Sequence, residues 1–155
     1  MMRSLELKIP PPLVFLLAGL IMYGLRGLVP AATWSVPGRV YIALFMLAWG
    51  CLIGALGLAA FHAHRTSYSP KVLDRTNILV TRGIYRQTRN PMYLGLLFVL
   101  IGWAVYLSNF VSLLGLPLFV WYMNRFQIEP EERALEAKFG NAYFFYVATV
   151  KRWLF

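Results

Sequence analysis

The stretch VYIALFMLAWGCLIGALGLAAF, residues 40–61, decides the fold class because none of its 22 residues is charged. A run of about 20 apolar residues is what a helix needs to cross the hydrocarbon core of a bilayer. Over its 155 residues the chain is 59% hydrophobic and 14% charged, whereas about a quarter of a soluble domain is charged. We therefore predict an integral membrane protein.

Two other uncharged segments extend this prediction. Residues 9–25 form one, and residues 90–124 form the other. The polar pair Ser108-Asn109 divides the longer segment, and Pro117 interrupts its second half. At about 1.5 Å per helical residue, the longer segment is too long for one crossing and sufficient for two short ones. The sequence thus predicts an all-α bundle of about four transmembrane helices.

The first apolar run also has a second interpretation, as a cleaved signal peptide. Arg3 and Lys8 precede it, and Ala31-Ala32 follow it. Glu6, the three prolines and the length of the run favour a transmembrane helix instead.

The net charge of +9 is distributed unevenly. Six basic residues lie between the second and third apolar segments: Arg65, Lys71, Arg75, Arg82, Arg86 and Arg89. The two predicted outer loops hold only Arg39. By the positive-inside rule, both termini and the loop 62–90 are cytoplasmic in a multi-pass protein, which in a bacterium is in the inner membrane. This distribution argues against nucleic acid as a partner and predicts contact with anionic lipid headgroups.

The C-terminal region changes character after the last apolar segment. Residues 130–140, PEERALEAKFG, predict a helix with Pro130 in its first turn and Gly140 as its C-cap. A second amphipathic segment, 141–155, ends in basic residues and Trp153, and we expect it at the membrane interface. These helices and the loop 62–90 predict a cytoplasmic cap over the bundle.

The stretch GIYRQTRNPMYLG, residues 83–95, carries more charge and hydrogen-bonding capacity than a turn requires. Tyr85 and Tyr93 offer π faces to a cation. Two sets of opposite charge are predicted to face one another across the cap: Arg82, Arg86 and Arg89 against Glu131, Glu132 and Glu136. The alternative is a basic topology signal and a solvated acidic helix face.

A metal site is not predicted. His62 and His64 are two residues apart and fall on opposing sides of a helix, without a nearby cysteine or carboxylate. The lone Cys51 excludes a disulfide framework, and we interpret it as a small core residue.

Two motifs resemble a known family. GIYRQTRNPMYLG resembles the G-x-Y-x-x-x-R-[HN]-P-x-Y-x-G signature of the isoprenylcysteine carboxyl methyltransferases, a membrane group that includes phospholipid N-methyltransferases. EERALEAKFGNAYFFYVATVKRW, starting at Glu131, resembles the family's E-E-x-x-L-x-x-x-F-G-x-x-Y-x-x-Y-x-x-x-V-x-R-W tail. The match covers about residues 70–155 of a predicted single domain, 1–155. The first two predicted helices resemble the family in hydropathy alone.

The resemblance implies that S-adenosylmethionine is bound between the loop before the third helix and the tail. The cofactor-contacting positions that it implies are Leu79, Val80, Gly83, Tyr85, Asn90, Pro91, Tyr93, Leu94, Glu131 and Glu132. Asn90 replaces a histidine common in eukaryotic members. Arg89 is predicted to orient an anionic acceptor, and Glu132, as a second catalytic residue, or Glu131 to help an amine acceptor lose its proton.

The predicted function is methyl transfer to a lipophilic acceptor that enters from the bilayer, such as the carboxylate of an isoprenylcysteine-like or other lipidic substrate. A phospholipid amine is the alternative acceptor. A hypothesis from a different functional class is a non-catalytic membrane scaffold that binds anionic lipid. The oligomeric state is left open.

Overall fold

The computed structural model describes residues 6–60 and 78–154 in full, together with the backbone of residues 61–63. Its helices are α1 (Pro11–Leu28), α2 (Arg39–Ala63), α3 (Pro91–Leu107), α4 (Gly115–Met123), α5 (Glu129–Phe139) and α6 (Asn141–Thr149). Short 3-10 turns lie at Pro30–Ala32, Gly83–Arg86 and Val111–Leu114, and a π-helical turn lies at Asn124–Ile128. No strand forms within the described residues, so the all-α prediction is confirmed there.

Two helices are long and apolar enough to cross a membrane. Pro11–Leu28 has a mean hydropathy of 1.5, and Arg39–Ala60 one of 2.2. Their large apolar side chains point mostly outward, Leu20 and Tyr41 among them. A bilayer solvates such surfaces. α3 is apolar and shorter, and crossing by α3 and α4 stays a prediction.

One end of the bundle joins the chain before α1 to the chain after α4. Gln127 Nε2 donates a hydrogen bond of 2.5 Å to the carbonyl oxygen of Ile9. The Glu6 carboxylate adds ion pairs to Arg125, at 3.4 Å, and to Arg133, at 2.6 Å. These contacts place the start of α1 beside the end of α4.

The opposite end is held by the polar pair that was predicted to divide the third and fourth helices. Ser108 adopts a left-handed conformation with φ 48° and ends α3. The buried Asn109 donates to the carbonyl oxygen of Val29 at 2.9 Å, and Ser112 Oγ donates to that of Met22 at 2.7 Å. The hairpin between α3 and α4 is therefore confirmed, and it packs on the end of α1.

Glycines allow α2 and α3 to pack closely. A Cβ atom placed on Gly50 would lie 2.5 Å from the carbonyl oxygen of Gly95, and one on Gly95 would lie 2.6 Å from that of Gly50. Nearer the start of α3, a Cβ on Gly57 would lie 3.0 Å from Pro91 Cγ. Small residues at such positions let two helix backbones approach each other.

The polypeptide from α4 to α5 is helical throughout, with the π turn between them. Pro130 lies in the first turn of α5, as predicted, and Gly140 follows its last residue with φ 50°. Pro117 lies in the first turn of α4, just after the 3-10 turn Val111–Leu114 changes to α-helix. Gln127 is buried within the π turn.

Two expectations about side-chain position were wrong. Cys51 is exposed on the outer surface of α2. Trp153 is 3% exposed, and its Nε1 donates a hydrogen bond of 2.9 Å to Asn124 Oδ1, so it is part of the core. The predictions for the His62 side chain and for His64 lie outside the described residues.

Candidate active site

The loop before α3 reaches the site through a left-handed glycine and a short turn. Gly83 has φ 62°, a left-handed conformation that residues other than glycine rarely adopt. The 3-10 turn that follows buries Tyr85. Pro91 then begins α3 at a position where its missing N–H is not needed. This geometry turns Tyr85 and the first turn of α3 toward the C-terminal tail.

The three residues that precede Pro91 bind backbone carbonyls of the C-terminal tail, the segment that follows α6. The Arg89 N–H donates to Lys151 O at 2.9 Å. Thr88 Oγ1 and Asn90 Nδ2 both donate to Arg152 O, at 3.1 and 3.0 Å. The Asn-Pro turn is thus a clamp for the chain that follows α6.

The Arg89 side chain continues this clamp. Its NH1 donates to the carbonyl oxygens of Val150, at 2.7 Å, and Val147, at 3.2 Å. Its NH2 lies 2.8 Å from Glu132 Oε1. Arg152 holds the same carboxylate, with NH2 2.5 Å from Oε2 and Nε 3.2 Å from Oε1. Two guanidinium groups therefore neutralise Glu132.

The arrangement occupies most of the hydrogen-bonding capacity of Arg89. Both terminal nitrogens bind groups of the protein, and the buried Nε has no hydrogen-bond partner among the described residues. The Arg89 side chain is 11% exposed. Its observed contacts position the tail, and its contact with an acceptor stays a prediction.

Glu131 has a different environment from its neighbour Glu132. Tyr93 Oη donates a hydrogen bond of 2.5 Å to Glu131 Oε1. No Lys, Arg or His in the described part of the chain forms an ion pair with Glu131, and no described group bonds its Oε2. Burial raises the pKa of Glu131 to about 7; the bond from Tyr93 lowers it, and the charge of Glu132 raises it. Glu131 therefore exchanges a proton near neutral pH.

Tyr85 completes an aromatic wall beside this carboxylate. Tyr146 Oη donates a hydrogen bond of 2.7 Å to the carbonyl oxygen of Tyr85 and so ties α6 to the turn. Burial, followed by the charges of Tyr146 and Glu131, raises the pKa of Tyr85 above its usual value, so its phenol stays neutral. Neutral aromatic rings next to a carboxylate that pairs with no described cation suit a cationic ligand.

The predicted cofactor-binding residues divide into groups in the structure. Tyr85, Tyr93 and Glu131 lie together, and Asn90 and Glu132 lie in the neighbouring clamp. Five others have apolar or turn positions: buried Val80, Leu79 packed against α6, Leu94 in the helix core, Pro91 beside α2, and Gly83 in the exposed turn. Their contact with a cofactor stays a prediction.

The two charged sets meet only in part. Arg89 pairs with Glu132, while Arg82, Arg86 and Glu136 are exposed and form no ion pair within the described residues. Thr88 and Arg152 were not among the predicted site residues, although both lie inside the motifs quoted above. Arg152 sits in the V-x-R-W part of the tail motif, and that position was the available signal.

Comparison with known proteins supports the resemblance. The phospholipid methyltransferase family matches residues 38–142. The protein-S-isoprenylcysteine O-methyltransferase of Schizosaccharomyces pombe is 35% identical over 100 residues, which are 63% of this chain and 42% of that protein. The Xenopus laevis protein of the same name is 29% identical over 143 residues, 85% of this chain and 50% of that protein.

This chain thus spans half or less of these two relatives. A shorter relative, an uncharacterized protein of Haemophilus influenzae, is 46% identical over 63 residues, which are 41% of this chain and all of that protein. No solved structure matches. Because the family match covers more than half of the sequence and includes both the Asn-Pro turn and the glutamate pair, the chain belongs to the phospholipid methyltransferase family.

Proposed function

We propose that the protein is an S-adenosylmethionine-dependent methyltransferase, with its cofactor beside Tyr85, Tyr93 and Glu131. The observation that carries this proposal is the Glu131 carboxylate. It is partly buried, bound by one phenol and unpaired with any described cation. Keeping such a group charged is costly unless a positive ligand compensates it.

The cofactor fits that environment because it is a cation. When bound, it supplies a methyl group activated by a positively charged sulfur. Its ammonium is a suitable partner for Glu131 Oε2, and its sulfonium is a suitable partner for the faces of Tyr85 and Tyr93. The hydrogen bond from Tyr93 fixes the orientation of Glu131 for either contact.

The protein's task in such a transfer is to align the nucleophile and exclude water. The Arg89–Glu132–Arg152 cluster contributes by holding the tail against the turn before α3. In this account Arg89 and Glu132 are positioning residues, and Glu131 contacts the cofactor. Glu132, which was predicted to be catalytic, thus has a positioning role, and the contact with the cofactor is assigned to Glu131.

We infer a lipophilic acceptor, because the site lies at one end of apolar helices. The named relatives methylate an oxygen, and a carboxylate acceptor is already a nucleophile that needs no base. The second candidate is a lipid amine, which must lose a proton before its nitrogen accepts a methyl group. The match to the phospholipid methyltransferase family is the observation that favours this second candidate.

We further propose that α3 and the α4–π-turn segment cross the membrane with α1 and α2, and that the site end faces the cytoplasm. The start of α1 contacts the segment after α4, and the end of α1 contacts the turn between α3 and α4. Successive helices therefore run in opposite directions, as four crossings require. The basic residues between α2 and α3 favour the cytoplasmic side for the site end.

Labelled methyl transfer tests the proposed activity. Purified protein in lipid is supplied with radiolabelled S-adenosylmethionine and either a farnesylcysteine analogue or phosphatidylethanolamine. A methyl ester releases labelled methanol in alkali, whereas an N-methyl group does not, so the bond formed is identified directly. Transfer to neither acceptor class, nor to a total lipid extract, by protein shown to be folded would contradict an active methyltransferase and favour the anionic-lipid scaffold.

A further inference from the structure

The outer face of α6 is unusually apolar for the end of the molecule at which it lies. Phe144 is 66% exposed and Phe145 is 69% exposed, with ring centroids 6.0 Å apart. The inner face is formed by Tyr143, Tyr146 and Val150, which are buried against Leu79, Leu135 and Phe139. α6 therefore has a packed side and an apolar side that no described residue covers.

This face lies where a membrane surface would meet it. The carbonyls of Val147 and Val150 bind Arg89, two residues before α3 begins. The start of α3 and the start of α1 lie at the same end of the bundle. α6 is thus beside the ends of the apolar helices.

The charges around the face are basic. Arg82 precedes the Gly83–Arg86 turn that Tyr146 binds, Arg86 is the last residue of that turn, and Lys151 follows α6. All three are exposed, and none pairs with a described carboxylate. Residues 141–154 include no acidic residue. An aromatic face bordered by exposed cations is complementary to a surface of phosphate headgroups above hydrocarbon.

We propose that the outer face of α6, formed by Phe144, Phe145 and Ala148, docks into the headgroup region of the membrane that the chain inhabits, and that Arg82, Arg86 and Lys151 make it prefer anionic lipid. This corrects the sequence prediction in detail. Trp153 and Arg152 were expected to make the interfacial contact, but one is buried and the other holds Glu132. The inference is independent of the proposed catalytic activity.

The lone cysteine makes the docking measurable. In a Cys51→Ala background, Ala148→Cys puts a fluorescent label between the two phenylalanines on the helical wheel and leaves both in place. Glu136→Cys, at an exposed acidic position of α5, is the control. The full chain is reconstituted in nanodiscs that carry nitroxide-labelled lipid, with phosphatidylcholine alone or mixed with phosphatidylglycerol.

We expect lipid quenching to be several-fold stronger at position 148 than at position 136, and stronger again when phosphatidylglycerol is present. The double change Arg86→Glu and Lys151→Glu should remove the extra quenching caused by phosphatidylglycerol. The quenching observed with phosphatidylcholine alone should be unchanged. Equal quenching at both labelled positions would overturn the docking. Quenching at 148 that does not respond to phosphatidylglycerol would overturn the preference for anionic lipid.

Discussion

The Tyr93 hydroxyl lies 2.5 Å from Glu131 Oε1 and links the first turn of α3 to α5. Thirty-eight residues separate the two side chains in sequence, yet each belongs to one of the two motifs by which the family is recognised. Their hydrogen bond is one of the direct contacts between those motifs, and it lies inside the proposed cofactor site.

Tyr93→Phe should weaken binding of S-adenosylhomocysteine while leaving the fold intact. The change removes a hydrogen bond that lowers the pKa of Glu131, so a larger fraction of Glu131 is protonated at neutral pH. The loss should be largest near pH 7 and smaller at higher pH, where Glu131 is ionised in both proteins. Calorimetric titration at several pH values measures it. An unchanged affinity at every pH would separate Tyr93 from the ligand.

Glu131 should also make stability depend on pH. Its pKa in the folded protein, about 7, is above the usual 4.5, so the folded state retains a proton that the unfolded state has lost. Stability contributed by this group therefore falls as pH rises from 4.5 to about 7. Glu131→Gln should remove that decline, and its melting temperature relative to wild type should rise with pH. Parallel melting curves of the two proteins would argue against the raised pKa.

Arg89→Ala should destabilise the protein because it leaves Glu132 with a single cation and frees two tail carbonyls. Breaking a largely buried ion pair by removing one partner costs about 3 kcal/mol. Denaturant unfolding in mild detergent measures the loss. Arg86→Ala is the matched control, an exposed arginine of the same loop that should change stability by less than about 0.5 kcal/mol. Equal effects of the two changes would show that the clamp does not hold the tail.

Gly95→Ala should separate α2 from α3. The added Cβ would lie 2.6 Å from the carbonyl oxygen of Gly50, a contact that only a backbone shift can relieve. Overpacking of this kind costs about 1–3 kcal/mol. Gly24→Ala on α1 is the control, because its Cβ meets no atom within 4 Å and alanine favours a helix. Thermal unfolding of both variants distinguishes steric strain from a general effect of the substitution.

The sequence was informative where polarity changes along the chain. The Ser108-Asn109 turn, the helix from Pro130 to Gly140 and the pairing of the Asn-Pro loop with the glutamate pair all follow from breaks in hydropathy or from motifs. These features are local, or they lie in two motifs whose order and spacing resemble the family.

The sequence was less informative about which apolar side chains face inward. A lipid-facing side and a protein-facing side are equally apolar in a membrane helix, so periodicity does not separate them. Cys51 was expected inside and is outside, and Trp153 was expected outside and is inside. The role of Arg152 was missed because Arg152 follows α6, whereas its partner, Glu132, lies 20 residues earlier on α5.

The most direct test of the account is calorimetric titration of the detergent-purified protein with S-adenosylhomocysteine, compared with Glu131→Gln and with Glu136→Gln, the exposed control on the same helix. We predict saturable binding by wild type and by Glu136→Gln, and at least a tenfold weaker affinity for Glu131→Gln. Equal binding by all three proteins would contradict the role given to Glu131, and no binding by any folded protein would contradict the cofactor site itself.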